Sequence, residues 1–250
     1  MLFSPLRSSL QLFFGIGENR EKSLYTKGLR TWEDYLLYVK SDPSFTKEAV
    51  GLVETRYLEL KRAYDSKDYD FFSKTLPSIE LWRLWSEYSN KFCFLDIETT
   101  GISAYSVATV VSIFQNSEIR TYERGKNLEF LFEEIHKDWI LVTYNGKRFD
   151  IPFLEREFQV KFENPHLDLM NLLHSLGIKG GLKKSEELLG LTRPSHLVGM
   201  EGRDAPILWQ KYQRDNDLEA LETLVSYNRE DTKNLEAVLE RAIDRIYQKL

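Results

Sequence analysis

The sequence predicts an α/β protein in which helices flank a mixed β-sheet and a helical segment precedes that sheet. Three observations predict this class. Short apolar and β-branched runs typical of strands lie within residues 92–143. Helical periodicity dominates before and after them, ending in a long pattern from Asp217 to Lys249. A hairpin followed by alternating strand and helix indicates a mixed sheet.

Composition limits the function classes. The 250 residues are 42% hydrophobic and 29% charged, which allows a sizeable core. The single cysteine, Cys93, excludes an internal disulfide and a Cys-rich zinc site. No apolar run approaches the roughly 20 residues of a membrane span, and we expect a cytoplasmic protein. A net charge of −5 argues against a general nucleic-acid coat, but it is compatible with a basic groove beside an acidic site.

The first part of the chain is predicted to be helical. Thr31 is a candidate N-cap followed by acids, Glu48 to Lys67 keeps apolar residues at helical spacing, and Ser78 to Tyr88 predicts a further helix. We therefore expect a helical N-terminal region over residues 1–90 and a second domain over residues 91–250.

Within that region, Gly15-Ile16-Gly17 and its surroundings resemble a helix-hairpin-helix, whose glycine turn presents N–H groups to a nucleic-acid phosphate. Glu18 and Glu21 stand where a phosphate would approach, so a tight turn that only packs two helices is the alternative. The same helical region is where we expect a protein partner to dock.

The second part begins with an apolar run, Phe92 to Thr99, that predicts a buried strand. The segments predicted after it are a hairpin of two strands around Gln115-Asn116-Ser117, then a helix and a further strand: Val107 to Phe114, Glu118 to Tyr122, Asn127 to His136 and Trp139 to Thr143.

Two carboxylates interrupt the first strand. Strand side chains alternate, so Asp96 and Glu98 share one face. Like charges this close raise each other's pKa unless cations offset them. Mg²⁺ or Mn²⁺ suits carboxylate ligands, whereas an edge strand with two solvated acids is the alternative.

A second polar stretch, Tyr144 to Pro152, follows the strand that ends at Thr143. Asp150 is placed to cap a helix or to point into a cleft at the strand ends, and these two roles are compatible. Phe149 is placed to stack on a base or to join the core. Lys147 and Arg148 are placed to meet phosphates or to be solvated in a turn.

A third stretch lies in the final helix. The i, i+4 spacing puts Tyr227 and Asp231 on one helix face, which apolar residues continue. An acid on a helix surface beside a core tyrosine is the alternative interpretation. A functional interpretation of this third stretch is favoured because it follows the other two stretches in order along the chain.

Together the patterns D-x-E, Y-N-x-x-x-F-D and Y-x-x-x-D resemble the DnaQ-like, or DEDD, 3′-5′ exonucleases of the RNase H-like superfamily, in the DEDDy subclass. They are similar to the three exonuclease motifs of family B DNA polymerases. The wider pattern, from His166-Leu167-Asp168 to Trp209 and Tyr212, resembles the YprB-like exonuclease family. The resemblance covers about Phe92 to Leu239.

The resemblance implies an RNase H-like mixed five-stranded sheet with the first three strands antiparallel. It also implies two Mg²⁺ or Mn²⁺ ions, about 4 Å apart, which activate the attacking water and stabilise the leaving 3′ oxygen. The ions' ligands are implied to be Asp96, Glu98, Asp150 and Asp231. Tyr227 is implied to orient the water. Asp168 is a rival ligand, to which we assign a supporting role.

Four residues are assigned to substrate binding: Thr99, Asn145, Phe149 and Lys183. The stretch containing Lys183 opens a helix that Gly190 closes, and a plain capped helix is the alternative. Three residues in the following loop receive no role: Arg193, His196 and Arg203.

The resulting hypothesis is a metal-dependent 3′-5′ exonuclease acting on single-stranded or frayed 3′ ends, with DNA favoured over RNA by analogy. An RNA-processing exoribonuclease of the same fold is one alternative, because none of these residues reports contact with a 2′-OH. A non-catalytic nucleic-acid-binding adaptor is the other. An RNase H-type endonuclease is disfavoured, because its second acid usually comes from a helix.

Overall fold

The computed structural model describes residues 4–195 and 199–249. The chain divides into two compact units, one extending to Ser89 and the other comprising Asn90–Lys249. Within the described ranges, no helix combines the length and the apolar character needed to cross a membrane.

The first unit is helical. Its α-helices are α1 (Glu18–Thr26), α2 (Trp32–Ser41), α3 (Lys47–Asp65), α4 (Tyr69–Thr75) and α5 (Trp85–Tyr88). Thr31 caps α2 through a reciprocal pair of hydrogen bonds with Asp34, which satisfies two backbone N–H groups at the helix start. The predicted helix over Ser78 to Tyr88 is a 3-10 helix, Ser78–Leu84, that continues as α5.

A buried ion network crosses the first unit. The Arg83 guanidinium lies 3.1 Å from Glu21 and 2.7 Å from Glu80, and all three side chains are shielded from solvent. Glu21 also accepts hydrogen bonds from the backbone N–H groups of Leu10 and Gln11. Glu21 therefore points inward, away from the exposed side of the glycine turn that precedes α1.

The second unit contains a five-stranded mixed sheet, as predicted. Its strands are β1 (Phe92–Thr99), β2 (Ala108–Gln115), β3 (Glu118–Glu123), β4 (Ile140–Thr143) and β5 (His166–Asp168). The strand order is β3-β2-β1-β4-β5, in which β1 to β3 are antiparallel and β4 and β5 run parallel to β1. The carboxyl ends of β1, β4 and β5 therefore meet at one edge of the sheet.

The predicted hairpin closes through a two-residue loop. Asn116 and Ser117 both have positive φ, 50° and 64°, and Gln115 pairs with Glu118 across the turn. Two left-handed residues between paired strands form a type I′ turn, whose twist matches that of the strands.

The predicted helix over residues 127–136 is wrong in length. Only a 3-10 turn, Leu128–Phe130, and one helical turn, α6 (Leu131–Glu134), are present. The His136 carbonyl accepts hydrogen bonds from Trp139 N–H and from the Asn164 side chain. These tertiary contacts hold the chain in the turn that leads into β4, so the helix ends early.

The remaining helices are α7 (Asp150–Phe158), α8 (Leu169–Ser175), α9 (Leu182–Leu189), α10 (Ala205–Asp215) and α11 (Leu218–Lys249). Alternation along β1 separates two layers. Cys93, Leu95 and Ile97 pack in one core with residues of α7. The opposite face, where Glu98 pairs with Val110, packs against α10 and α11. Asp96 and Glu98 consequently lie on the face that α11 covers.

Candidate active site

A cleft of about 500 Å³ opens at the carboxyl end of β1, beside the turn that follows β4 and the start of α7. Ligands of open α/β sheets characteristically bind at this edge. The structure brings eight of the predicted site residues together in the lining: Asp96, Glu98, Thr99, Asn145, Phe149, Asp150, Tyr227 and Asp231. Lys183 and Asp168 lie next to lining residues instead.

Three carboxylates form the centre of this site. Oxygens of Asp96, Glu98 and Asp231 all lie within 4.8 Å of one another. The alternation of β1 places the first two, and α11, which packs on that face, supplies the third. Asp150 lines the same cleft from the first residue of α7 but is not part of this close group.

The charges of this cluster are only partly balanced. Burial raises the pKa of Asp96 well above its usual range, and the negative charges of Asp231, Glu98 and Asp150 raise it further. Burial likewise raises the pKa of Glu98, reinforced by Asp231 and Asp150, while nearby Lys183 opposes the shift. In the metal-free protein the site therefore favours protons on its carboxylates.

Burial also raises the pKa values of the other two acids in the cleft, Asp150 and Asp231. Burial raises the pKa of Asp150 to about 7, although hydrogen bonds from the backbone N–H groups of Asp150 and Ile97 oppose it. Burial raises the pKa of Asp231 to about 6, and the Arg193 cation opposes that shift. Phe149, not Asp150, occupies the N-cap position of α7.

Asn228, which sequence reasoning passed over, holds Asp96 in place. Its side-chain N–H groups donate to Asp96 Oδ2 at 2.8 Å and to the Asp96 carbonyl at 3.2 Å. Asn228 is fully buried in α11. The available signal was an amide beside Tyr227 on a helix face that is otherwise apolar.

Tyr227 lies among charges of both signs. Burial raises the pKa of its hydroxyl, and the carboxylates of Asp231, Glu98 and Asp96 act in the same direction. The Lys183 Nζ atom lies 5.2 Å from the Tyr227 ring centroid and the Arg193 guanidinium carbon lies 5.8 Å from it. The phenol consequently remains protonated at neutral pH.

Arg193 is the second residue whose role the sequence did not reveal. Its Nε and Nη2 atoms lie 2.6 Å and 2.9 Å from the Glu186 carboxylate, and Nη1 lies 2.5 Å from Asp231 Oδ1. A loop arginine carries no periodic signal that could have indicated these contacts. Of its two neighbours without a role, Arg203 is an exposed residue of the cleft lining and His196 lies outside the described residues.

Asp168 shapes the turn after β4. Its carboxylate accepts hydrogen bonds from the N–H groups of Asn145 at 2.9 Å, Lys147 at 3.1 Å and Met170 at 3.0 Å. These bonds hold Asn145 in a left-handed conformation, with φ of 63°, and leave its buried Oδ1 without a hydrogen-bond partner among the described residues. The turn thus places Asn145 in the lining of the cleft.

Gly146 is required by a close approach in the same turn. A Cβ atom built at Gly146 would lie 2.3 Å from Thr143 Oγ1 and 2.5 Å from Thr143 Cβ. Thr143 is fully buried and its Oγ1 accepts a hydrogen bond from Gly146 N–H, so it has little freedom to move.

Two predicted substrate contacts also have local roles. The Thr99 hydroxyl donates to the Gly101 carbonyl at 2.8 Å and so holds the turn after β1. The Phe149 ring packs 5.5 Å from Phe153 and against the core beneath β1, while the residue still lines the cleft. Both interpretations of Phe149 are therefore compatible with its position.

The donors present suit a hard divalent cation. Oxygen ligands at this spacing fit Mg²⁺ or Mn²⁺, which would offset both the burial of Asp96 and Glu98 and the repulsion among the acids that raise their pKa values. Asp96, Glu98 and Asp231 form the close group, and Asp150 lines the same cleft.

A mixed sheet of this order, with carboxylates where β1 meets the last helix, defines an RNase H-like nuclease fold. The chain belongs to the RNase_H superfamily: the RNase_H_2 family model matches residues 93–243. This match confirms the predicted superfamily.

Two solved structures are similar in fold. A family B DNA polymerase from the hyperthermophilic archaeon Pyrobaculum calidifontis is 18% identical at a TM-score of 0.45, with 64% of this chain and 24% of that chain covered. Brucella melitensis NrnC is 17% identical at a TM-score of 0.38, with 64% and 78% covered. The matched part of this chain thus spans about a quarter of the polymerase. No curated protein matches the chain in sequence.

Proposed function

We propose that this protein is a metal-dependent 3′-5′ exonuclease of the DEDDy type that hydrolyses phosphodiester bonds in nucleic acid. The observation that carries the proposal is the group of carboxylates of Asp96, Glu98 and Asp231 within 4.8 Å of one another in an open cleft. Asp150 supplies a fourth acid to the same cleft. Four carboxylates match the charge of two divalent ions.

In this proposal Asp96, Glu98, Asp150 and Asp231 hold two Mg²⁺ or Mn²⁺ ions. Bound divalent ions supply Lewis acidity and a water of lowered pKa. Tyr227 orients the attacking water by a hydrogen bond, because its raised pKa keeps the hydroxyl protonated. Asn228 keeps Asp96 in position through its hydrogen bond of 2.8 Å.

The substrate we propose is the 3′ end of a single strand or a frayed duplex, with DNA favoured over RNA. The Phe149 ring at the cleft offers a surface for a base, and Asn145 lines the same cleft. Arg203, exposed at the cleft, offers a cation to the phosphate backbone.

Degradation of end-labelled single-stranded DNA and RNA of one sequence tests this function. Each substrate is incubated with Mn²⁺, Mg²⁺ or EDTA, beside the Asp96→Asn protein. We expect shortening from the 3′ end that requires metal and is absent in the variant. Stepwise loss of RNA alone would identify an exoribonuclease. Binding of either strand without cleavage under every metal condition would contradict the enzyme and favour an adaptor.

We further propose that residues 91–250 form the exonuclease domain and that residues 1–90 form a helical region that contacts nucleic acid through the turn at Gly15 and Gly17. Both glycines line a groove of about 520 Å³ that also contains Phe14, whose side chain is 78% exposed. Fluorescence anisotropy with labelled single-stranded DNA tests this contact. Phe14→Ala should weaken binding several-fold, whereas Leu52→Ala, at another exposed apolar residue, should not. A protein partner for this region stays a prediction.

A further inference from the structure

Arg193 connects two helices at the edge of the carboxylate cluster. Its side chain is 9% exposed and lies between Glu186 of α9 and Asp231 of α11. We infer that Arg193 is a positioning residue, held by Glu186, that fixes the carboxylate of Asp231 for metal binding. This inference rests on the proposed metal-dependent function.

The contacts of the guanidinium group leave it one orientation. Nε and Nη2 engage both oxygens of Glu186 in a parallel pair of charge-assisted bonds. Glu186 is itself fixed, because its Oε1 accepts a hydrogen bond of 3.0 Å from Asn234 on α11. With two edges of the planar group occupied in this way, Nη1 lies 2.5 Å from Asp231 Oδ1, an ion-pair contact without the angles of a hydrogen bond.

The balance of charges around Arg193 favours a role in positioning Asp231 over a role in competing with the metal ion for Asp231. Glu186 already balances the positive charge of Arg193, so the pair is neutral as a whole and Asp231 keeps its negative charge for a cation. Both partners are shielded from solvent and neither lines the cleft. Partners of this kind behind a metal ligand typically change metal affinity by 10- to 100-fold.

If Arg193 competed with the metal ion, its removal would change the metal affinity in the opposite direction. An arginine that occupied the place of a metal would be displaced on metal binding, and removing it would strengthen that binding. An arginine that positions Asp231 leaves that carboxylate less constrained when it is removed, and metal binding weakens. The sign of the change in metal affinity therefore distinguishes the two roles.

The experiment is calorimetric titration of the full-length protein with Mn²⁺ alone, in the absence of nucleic acid. We expect Arg193→Gln to weaken Mn²⁺ binding by about 10- to 100-fold. Arg193→Lys keeps the charge but cannot form the paired bonds with Glu186 while also reaching Asp231, and it should recover little of the affinity. Lys184→Gln, which removes an exposed cation from the same helix as Glu186, is the matched control and should bind Mn²⁺ like the wild type.

Arg193→Gln leaves Glu186 buried without its cation, which can destabilise the fold. The double variant Arg193→Gln/Glu186→Gln removes both charges and keeps polar side chains of similar size. We expect it to fold, as judged by circular dichroism and its melting temperature, and still to bind Mn²⁺ weakly. Glu187→Gln, at the adjacent exposed glutamate, is its control.

Two results would overturn the inference in distinguishable ways. Wild-type affinity or tighter Mn²⁺ binding in the folded double variant would show that the Glu186–Arg193 pair does not position Asp231, and would leave the proposed exonuclease untouched. Absence of Mn²⁺ binding in the wild-type protein would overturn both the inference and the proposed function.

Discussion

The Asp96 side chain lies among three other acids, and its raised pKa shows that its charge is unfavourable in the metal-free protein. Replacing Asp96 by Asn removes that charge while keeping an acceptor for the Asn228 side chain. We expect Asp96→Asn to abolish cleavage and to raise the stability of the metal-free protein by about 1 kcal/mol, or roughly 2–4 °C in melting temperature.

Thermal unfolding in EDTA measures this effect. Asp244→Asn neutralises an exposed acid of α11 and should change neither activity nor melting temperature appreciably. A metal-free Asp96→Asn protein that melts below the wild type would contradict the proposed repulsion.

The raised pKa of Asp150 predicts a pH dependence of stability. A carboxyl group whose pKa rises from 3.8 to about 7 on folding stabilises the native state at low pH, and that contribution is lost as the pH rises through about 7. Because the loss runs over the whole interval from about 3.8 to 7, we expect the metal-free Asp150→Asn protein to melt above the wild type already at pH 5, and by a larger margin of several degrees at pH 8.

Comparing the two proteins at each pH removes the contribution of groups that do not interact with Asp150; the contributions of Asp96 and Glu98 change with it. Burial lowers the pKa of His166 to about 4, which acts in the opposite direction but equally in both proteins. If the difference in melting temperature between Asp150→Asn and the wild type became smaller toward pH 8, the negative charge of Asp150 would not destabilise the native state as proposed.

The positions of individual site residues were predictable from the sequence where local backbone geometry determines them. Alternation along one strand was enough to predict that Asp96 and Glu98 share a face, where Glu98 is buried and Asp96 is half-buried. Asn228 and Arg193 could not be found this way. Asn228 contacts Asp96 across 132 positions of sequence, and such pairings follow from packing of α11 rather than from any local pattern.

At the scale of elements, the turn after β4 depends on a carboxylate from β5. Asp168 is buried and accepts three backbone hydrogen bonds, two of them from Asn145 and Lys147. We expect Asp168→Ala to lower the free energy of unfolding by about 2–3 kcal/mol, because three part-buried N–H groups lose their charged acceptor. Mn²⁺ binding should persist with reduced affinity, since the carboxylates of the cluster remain.

Two measurements distinguish a structural role from a role as metal ligand. They are chemical denaturation and Mn²⁺ titration, each carried out on Asp168→Ala and Asp150→Ala in parallel. Asp150→Ala should lose Mn²⁺ affinity with little loss of metal-free stability. The reverse pattern, with Mn²⁺ binding lost only in Asp168→Ala, would make Asp168 the metal ligand in place of Asp150.

Elements defined by their own patterns were predicted well, and those shaped by distant contacts were not. The β1 to β3 strands and α11 match the predicted segments within about one residue, because alternation and long helical periodicity are local signals. The helix predicted over residues 127–136 is cut to α6 by the hydrogen bonds at His136. Sequence alone gave no sign of the Asn164 side chain that makes one of them.

In the whole molecule, the residues matched by the family model and the residues of the candidate active site lie in the same unit. The RNase_H_2 match over residues 93–243 lies within the unit Asn90–Lys249, and so do all the residues of the carboxylate cluster. The superfamily was predictable because the three acidic motifs keep their order along the chain. For the first unit the sequence offered one chemical motif, Gly15-Ile16-Gly17, because its other helical patterns report packing rather than chemistry.

Metal loading should therefore stabilise the unit Asn90–Lys249, which contains this cluster. A ligand that binds only the native state adds about 2.7 kcal/mol at 100 times its dissociation constant, or roughly 5–10 °C for a chain of this size. We expect the melting temperature to rise with Mn²⁺ concentration and to return to its starting value in EDTA. The rise should be lost in Asp231→Asn and kept in Asp215→Asn, which neutralises an exposed acid of α10. An equal rise in both variants would place the bound metal outside the cleft, on surface carboxylates.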